Sequence, residues 1–215
     1  MTAPVRDVAA RPRAPHRRPA LVLTGAMILV LLGGWLAADA LQPSTYSPLH
    51  QTISVAAGRA GTDRWVGTAA LLAIGVGYLL CATLLPVPPW RGRLGMLATG
   101  ACGVGVALCP EAATGPTAAH ELFSVLGAVL LAAGPLFTMR VGAGSGDKAT
   151  VPVALRPSVA VAVCVVFTAL TAFLVYELNA GNAAGFAERL AVTAETAWPL
   201  VVAVSRLDEI DNQCH

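Results

Sequence analysis

The chain has 215 residues, 14 Lys+Arg against 12 Asp+Glu for a net charge of +2, and 56% hydrophobic with only 12% charged residues. An ordinary soluble domain is nearer a quarter charged, and a disordered chain needs low hydrophobicity and high net charge. A nucleic-acid binder is excluded by the near-neutral charge and 6% aromatics, and a disulfide scaffold by five sparse cysteines, an odd number. The composition is that of an integral membrane protein.

Residues 1–19 are rich in Arg, Pro and Ala and read as a disordered basic tail. A helix crossing the hydrocarbon core needs about 20 mostly apolar residues. Six stretches meet or approach this: 20–41, 65–85, 94–109, 118–139, 158–178 and 186–205. The first could instead be a signal peptide, since Ala38-Asp39-Ala40 resembles a cleavage site, but its apolar stretch is longer than a usual h-region. The third has 16 residues and is short for a span. Breakers fall between the spans: Pro86, Pro88 and Pro89, then Pro110 and Pro116, then the glycine-rich linker Gly142–Gly146 with Pro157 beyond it. Residues 207–215 form a short second tail.

Lys and Arg in short loops set orientation. With the N-terminus cytoplasmic, the inner segments carry 11 of the 14 basic residues, and only Arg59, Arg64 and Arg189 lie outside. The expectation is therefore an all-α polytopic bundle in the inner (plasma) membrane. It has one domain over residues 20–206, six transmembrane helices and both termini cytoplasmic. Thirteen Arg against one Lys, with abundant Ala, points to a high-GC bacterial source.

The acids sort to the other side: Asp39, Asp63, Glu111, Glu121, Glu177, Glu188 and Glu195 lie in the outer half. Glu195 sits near the middle of the last span, where a carboxylate is costly and is normally buried, paired or functional. Glu188 is seven residues earlier on the same stripe, and Pro199, four residues later, cannot donate to the Glu195 carbonyl. His120 opens the fourth span behind the N-cap candidate Thr117. It heads a stripe with Ser124, Ala128 and Ala132, small residues that let helices approach. It therefore faces a neighbouring helix, within reach of a carboxylate such as Glu195 or Asp39. Glu121 is explained by the helix dipole alone. In the outer loop 42–64, Ser47-Pro48 reads as a cap and first turn. Leu49, Ile53 and Ala57 share one face of a short interfacial helix ending at Gly58, with His50 and Ser54 on another. Cys and His residues show no metal-ligand spacing, so neither metal nor cofactor is expected.

The segment Tyr46-Ser-Pro-Leu-His-Gln-Thr-Ile-Ser54, Asp63-Arg-Trp65, His120, and Glu188-Arg189-Leu190 near Trp198 resemble a bacterial and archaeal family of six-helix membrane proteins, domain of unknown function 998. A weaker likeness is to eukaryotic DRAM-type six-helix proteins. The resemblance implies one six-helix domain with an outer loop over the bundle, and no activity. After Ile53-Ser54 stands Val55 rather than an acid, which argues against a carboxylate site in the loop.

Functionally, the expectation is an outward-facing polar pocket with Glu195, His120, Glu188, Tyr46, His50 and Asp39 as ligand-binding candidates. It would take a lipid head group or a small polar ligand, in transport or sensing. The rival readings are a membrane hydrolase using His120 and Glu195, and a non-catalytic assembly subunit. Membrane lipids are the expected partners, with self-association left open.

Overall fold

Bilayer hydrocarbon offers the backbone no hydrogen-bond partner, so apolar runs satisfy their own amides as helices. The computed structural model describes residues 17–85, 90–140 and 151–205. The Gly142–Gly146 linker, Pro86, Pro88, Pro89 and nearly all of both tails lie outside these. In chain order the helices are α1 (Arg17–Ala40), the short α2 (Ile53–Ala56), α3 (Trp65–Leu84), α4 (Trp90–Leu108) and α5 (Ala118–Thr138). A 3-10 turn (Val153–Leu155) precedes α6 (Pro157–Ala180), α7 (Ala184–Thr196) and α8 (Trp198–Ser205). Among the described residues the structure is all-helical, apart from one isolated bridge between Ala112 and Gly115. Four helices, α1, α3, α5 and α6, are long and apolar enough to cross a membrane, which makes the chain a multi-pass membrane protein.

Two expectations are corrected, and one short stretch gains flanking residues. The third apolar stretch does not stop at 16 residues: α4 has 19 residues. It begins at Trp90, because Arg91 and Arg93 are exposed and continue the helix without needing an apolar environment. The last stretch is not one helix either; it breaks at Ala197 into α7 and α8. Pro199 has no N–H for the Glu195 carbonyl, and the Tyr78 hydroxyl lies 3.5 Å from that oxygen instead. In the first loop the cap is Thr52, whose side chain accepts from the Val55 N–H, and the helix runs only from Ile53 to Ala56. Ser47 sits in a preceding turn, its carbonyl accepting from the His50 and Gln51 amides. Leu49 is consequently exposed while Ile53 and Ala57 are buried, so the three share no face.

The long helices pack in succession, α1 on α3, α3 on α4, α4 on α5, α5 on α6 and α6 on α7, and α8 returns to α1. They form a closed ring. The tightest seam is α3 against α4. A Cβ at Gly75 would lie 2.6 Å from the Val104 nitrogen, and one at Gly100 would lie 2.7 Å from the Gly75 carbonyl oxygen. Glycine on both helices lets the backbones touch, the usual device where lipid supplies no hydrophobic drive between helices. The outer faces are apolar: Val161, Val165 and Val166 on α6 and Leu122, Val125 and Val129 on α5 are exposed.

Loops 41–64, 109–117 and 181–183 gather at one end of the ring. Arg59 N–H donates to Glu111 O (2.8 Å) and Phe186 N–H to Leu49 O (3.1 Å). At the opposite end Arg140 N–H donates to Leu155 O, and Arg156 Nε to Val151 O at 3.2 Å.

Candidate functional site

Two features meet on α7. One is a pinned loop at its N-terminal end. The other is a chamber inside the helix ring.

Arg189 is the hub of the loop. Its Nη2 lies 2.6 Å from Asp39 Oδ1 at the end of α1, its Nε donates to Oδ2 at 3.2 Å, and Nη2 also donates to the Tyr46 hydroxyl at 2.8 Å. Nη1 donates to the carbonyls of Pro48, Gln51 and Gly185 at 2.9–3.0 Å. The Tyr46 hydroxyl in turn donates to Asp39 Oδ1 at 2.9 Å. Every guanidinium nitrogen is therefore used, and the fork geometry that makes Arg suited to such sites is fully engaged. Burial is the main cause that pushes the Tyr46 phenol up to about 12, with Arg189 pulling against it. The loop amide of Ile53 donates to Glu188 Oε2, and Ser54 Oγ donates to Oε1 at 3.4 Å. Thus Glu188 tethers the N-terminus of α2. The sequence places Arg189 on the outer side and assigns it no partner. Its partner is 150 residues away, and an acid at the end of the first span was the one available signal.

The excess of acids at this end has a common structural use. Asp39 pairs Arg189, Glu188 holds the Ile53 amide, and Glu177 accepts from the Ala183 amide at 2.8 Å. Glu111 lies 3.5 Å from His120 Nε2, and burial raises its carboxyl above the usual range while His120 pulls it down. His120 Nδ1 is 2.9 Å from the Cys109 carbonyl, and its backbone amide donates to Thr117 Oγ1. The imidazole is thus placed on the 109–111 turn. Its hydrogen-bond and ion-pair partners are Cys109 and Glu111, neither Glu195 nor Asp39. His50 is exposed and contacts Ser47 Oγ at 2.8 Å, away from this network.

The chamber has a volume of about 160 Å³ and draws its wall from α1 to α7. Glu188 and Ser54 line its loop end. Glu195, Tyr78, Thr99 and Thr196 line it further in, with Ser124 and Ala128 from the α5 stripe between. The remaining wall is mostly apolar, with Leu31, Ile74, Phe123 and Leu131 among it. Glu188 and Glu195 are seven residues apart on one face of α7, about 10 Å along its axis. Glu195 is 2% exposed, with Oε1 2.8 Å from Thr171 Oγ1. Thr196 is equally buried and its hydroxyl has no hydrogen-bond partner among the described residues. Among the described residues no Lys, Arg or His lines the chamber. A second small cavity of about 20 Å³ adjoins the chamber, sharing Tyr78, Thr99, Leu131 and Glu195 with it and lined further by Gly95, Thr138, Trp198 and Pro199 among others. There Trp198 Nε1 donates to Thr138 Oγ1 at 2.9 Å.

Of the six candidate residues, then, Glu195 and Glu188 share the chamber, Tyr46 and Asp39 share the loop network, and His120 and His50 stand apart from both. Residues 23–205 match the model of the family described as "Protein of unknown function (DUF998)", and the chain belongs to that family. No curated protein and no solved structure matches it.

Proposed function

We propose that this DUF998 chain crosses the cell membrane six times with both termini cytoplasmic, and binds a small organic ligand in the chamber, for transport or sensing. The 19 residues of α4 extend about 28 Å, close to the hydrocarbon thickness. The 13 residues of α7, Ala197 and the 8 of α8 extend about 33 Å together. Each therefore serves as a span beside the four apolar helices, and residues 20–206 act as one domain. Arg17, Arg18, Arg91, Arg93, Arg140 and Arg156 stand at helix ends away from the 41–64 loop, and the positive-inside rule directs that end to the cytoplasm.

The observation that carries the ligand reading is the chamber with an acid on its inner wall. An apolar cavity of roughly 150 Å³ takes a benzene molecule, so a volume of about 160 Å³ fits a molecule of that size and not a phospholipid. A phosphate head group would meet Glu188 and Glu195 with no basic side chain beside it, since Arg189 is committed to Asp39. The geometry favours a small, mostly apolar ligand with a hydrogen-bond donor. The hydrolase reading is not favoured, because His120 lies off the chamber and is bonded to the Cys109–Glu111 turn. The test is binding of benzyl alcohol to the protein in nanodiscs, against empty nanodiscs. Binding is expected in the wild type and in His120→Asn, and is lost in Ala128→Phe, which fills the chamber. Wild-type uptake equal to empty nanodiscs would refute the reading.

A further inference from the structure

We propose that Glu195 is a cation site that exchanges a small organic ammonium ion for a proton. This deepens the ligand reading above and rests on it.

The groups facing Glu195 define the chemistry. From α3 comes the Tyr78 phenol, from α4 Thr99 and the Cys102 thiol, from α6 the Thr171 hydroxyl, and from α7 itself Glu188 two turns away. On α8 the indole of Trp198 is occupied by Thr138. None of these is a base, α1 and α5 add no titratable group to the wall, and Arg189 is held by Asp39. Among the described residues nothing gives a carboxylate here a countercharge, and a proton on the acid or a cation beside it balances the chamber. A bare metal ion would need several oxygen ligands. The wall instead offers a few oxygens amid apolar surface, which suits an ammonium group on a small hydrocarbon body.

Two further observations point to a ligand. The buried Thr196 hydroxyl lines the chamber near the Tyr78 phenol and makes no hydrogen bond of normal length and angle among the described residues, so an acceptor is left for a donor N–H. Thr171 serves both states of the acid. Its Oγ1 lies 2.8 Å from Glu195 Oε1 and 3.1 Å from Phe167 O. A neutral carboxyl donates to Thr171 while Thr171 donates to Phe167. A carboxylate accepts from Thr171. In the exchange, the Glu195 O–H bond breaks, the proton leaves to water, and the entering ammonium N–H donates to the carboxylate, so chamber charge is unchanged. The small adjoining cavity that Glu195 also lines has about 20 Å³, room for one water that can take up the proton.

The probe is benzylammonium, with benzyl alcohol as its neutral counterpart, titrated calorimetrically into the protein in nanodiscs in two buffers of different ionisation enthalpy. Expected is about one proton released per benzylammonium bound, none with benzyl alcohol, and an affinity for benzylammonium that rises by up to about tenfold per pH unit. Glu195→Gln should lose the proton release and the pH slope while still binding benzyl alcohol. Proton release that persists in Glu195→Gln would overturn the assignment. Equal binding of both probes with no proton released by the wild type would overturn the exchange and leave the chamber standing. Binding of neither would overturn both readings. Should Glu195→Gln not fold, the wild-type count still decides the exchange, and Thr171→Val, which removes the hydrogen bond to Glu195, should shift the pH slope; an unmoved slope would overturn the assignment.

Discussion

Replacing Arg189 by Ala should be among the most damaging single changes outside the chamber. The side chains of Arg189 and Asp39 are only 8% and 10% exposed, so their pairing is not a surface ion pair worth up to about 1 kcal/mol. Removing one partner of a buried, hydrogen-bonded pair costs about 3–5 kcal/mol, mostly because the other charge is left uncompensated. Here the loss also frees the carbonyls of Pro48, Gln51 and Gly185. At about 2–4 °C per kcal/mol for a chain of this size, Tm should fall by roughly 6–20 °C. The assay is thermal unfolding in one detergent, followed by tryptophan fluorescence. Arg189→Lys should restore little, since an ammonium cannot reproduce the fork. The double variant Arg189→Ala with Asp39→Ala should be more stable than the sum of the two single losses, because no charge is stranded. A fall in Tm of less than about 2 °C for Arg189→Ala, or strict additivity in the double variant, would refute the argument.

Two further outcomes are expected. Gly75→Leu should force α3 from α4, since even a Cβ there would lie 2.6 Å from the Val104 nitrogen. Overpacking of this kind costs about 1–3 kcal/mol and should lower Tm accordingly, while Gly33→Leu, whose Cβ meets nothing within 4 Å, should not. The third concerns alkaline pH. The Tyr46 phenol is raised from 10.0 to about 12 in the folded chain, so the unfolded chain loses this proton first and stability declines as pH rises between those values. Tyr46→Phe should be less stable than wild type at neutral pH, yet lack that part of the decline; parallel pH curves for the two proteins would contradict it.

Much of the architecture was legible because membrane helices are local objects. A run of apolar residues bounded by proline or arginine must satisfy its own backbone, and α1, α3, α5 and α6 lie within a few residues of the stretches read from hydropathy. The inward stripe of α5 was legible for the same reason: Ser124 and Ala128 line the chamber at helical spacing from buried His120. The first loop was less so. Ser47-Pro48 carries a sound local capping signal, but Glu188, from the far end of the chain, holds the Ile53 amide, and Thr52 becomes the cap. A non-local carboxylate outweighed a local turn preference. His120 is buried beside a carboxylate as its stripe predicts, but the acid is Glu111, because the turn at residues 109–111 supplies a nearer partner than Glu195 or Asp39.

The sequence by itself determined that the chain is an all-helical membrane protein, where its main helices lie, that Glu195 sits deep in the last pair, and that Pro199 leaves a carbonyl without its helical partner. These follow from composition, periodicity and the chemistry of single residues. Only the tertiary structure decided how the polar groups divide. Closing the ring brings α7 against both α1 and α6. This sets Arg189 on Asp39 and Glu195 beside Thr171, and leaves the loop pinned and the chamber without a countercharge among the described residues. Hydropathy places a helix in the bilayer but says nothing of which neighbour it meets, and in a low-dielectric interior it is the neighbour that decides whether a charge is structural or free to bind.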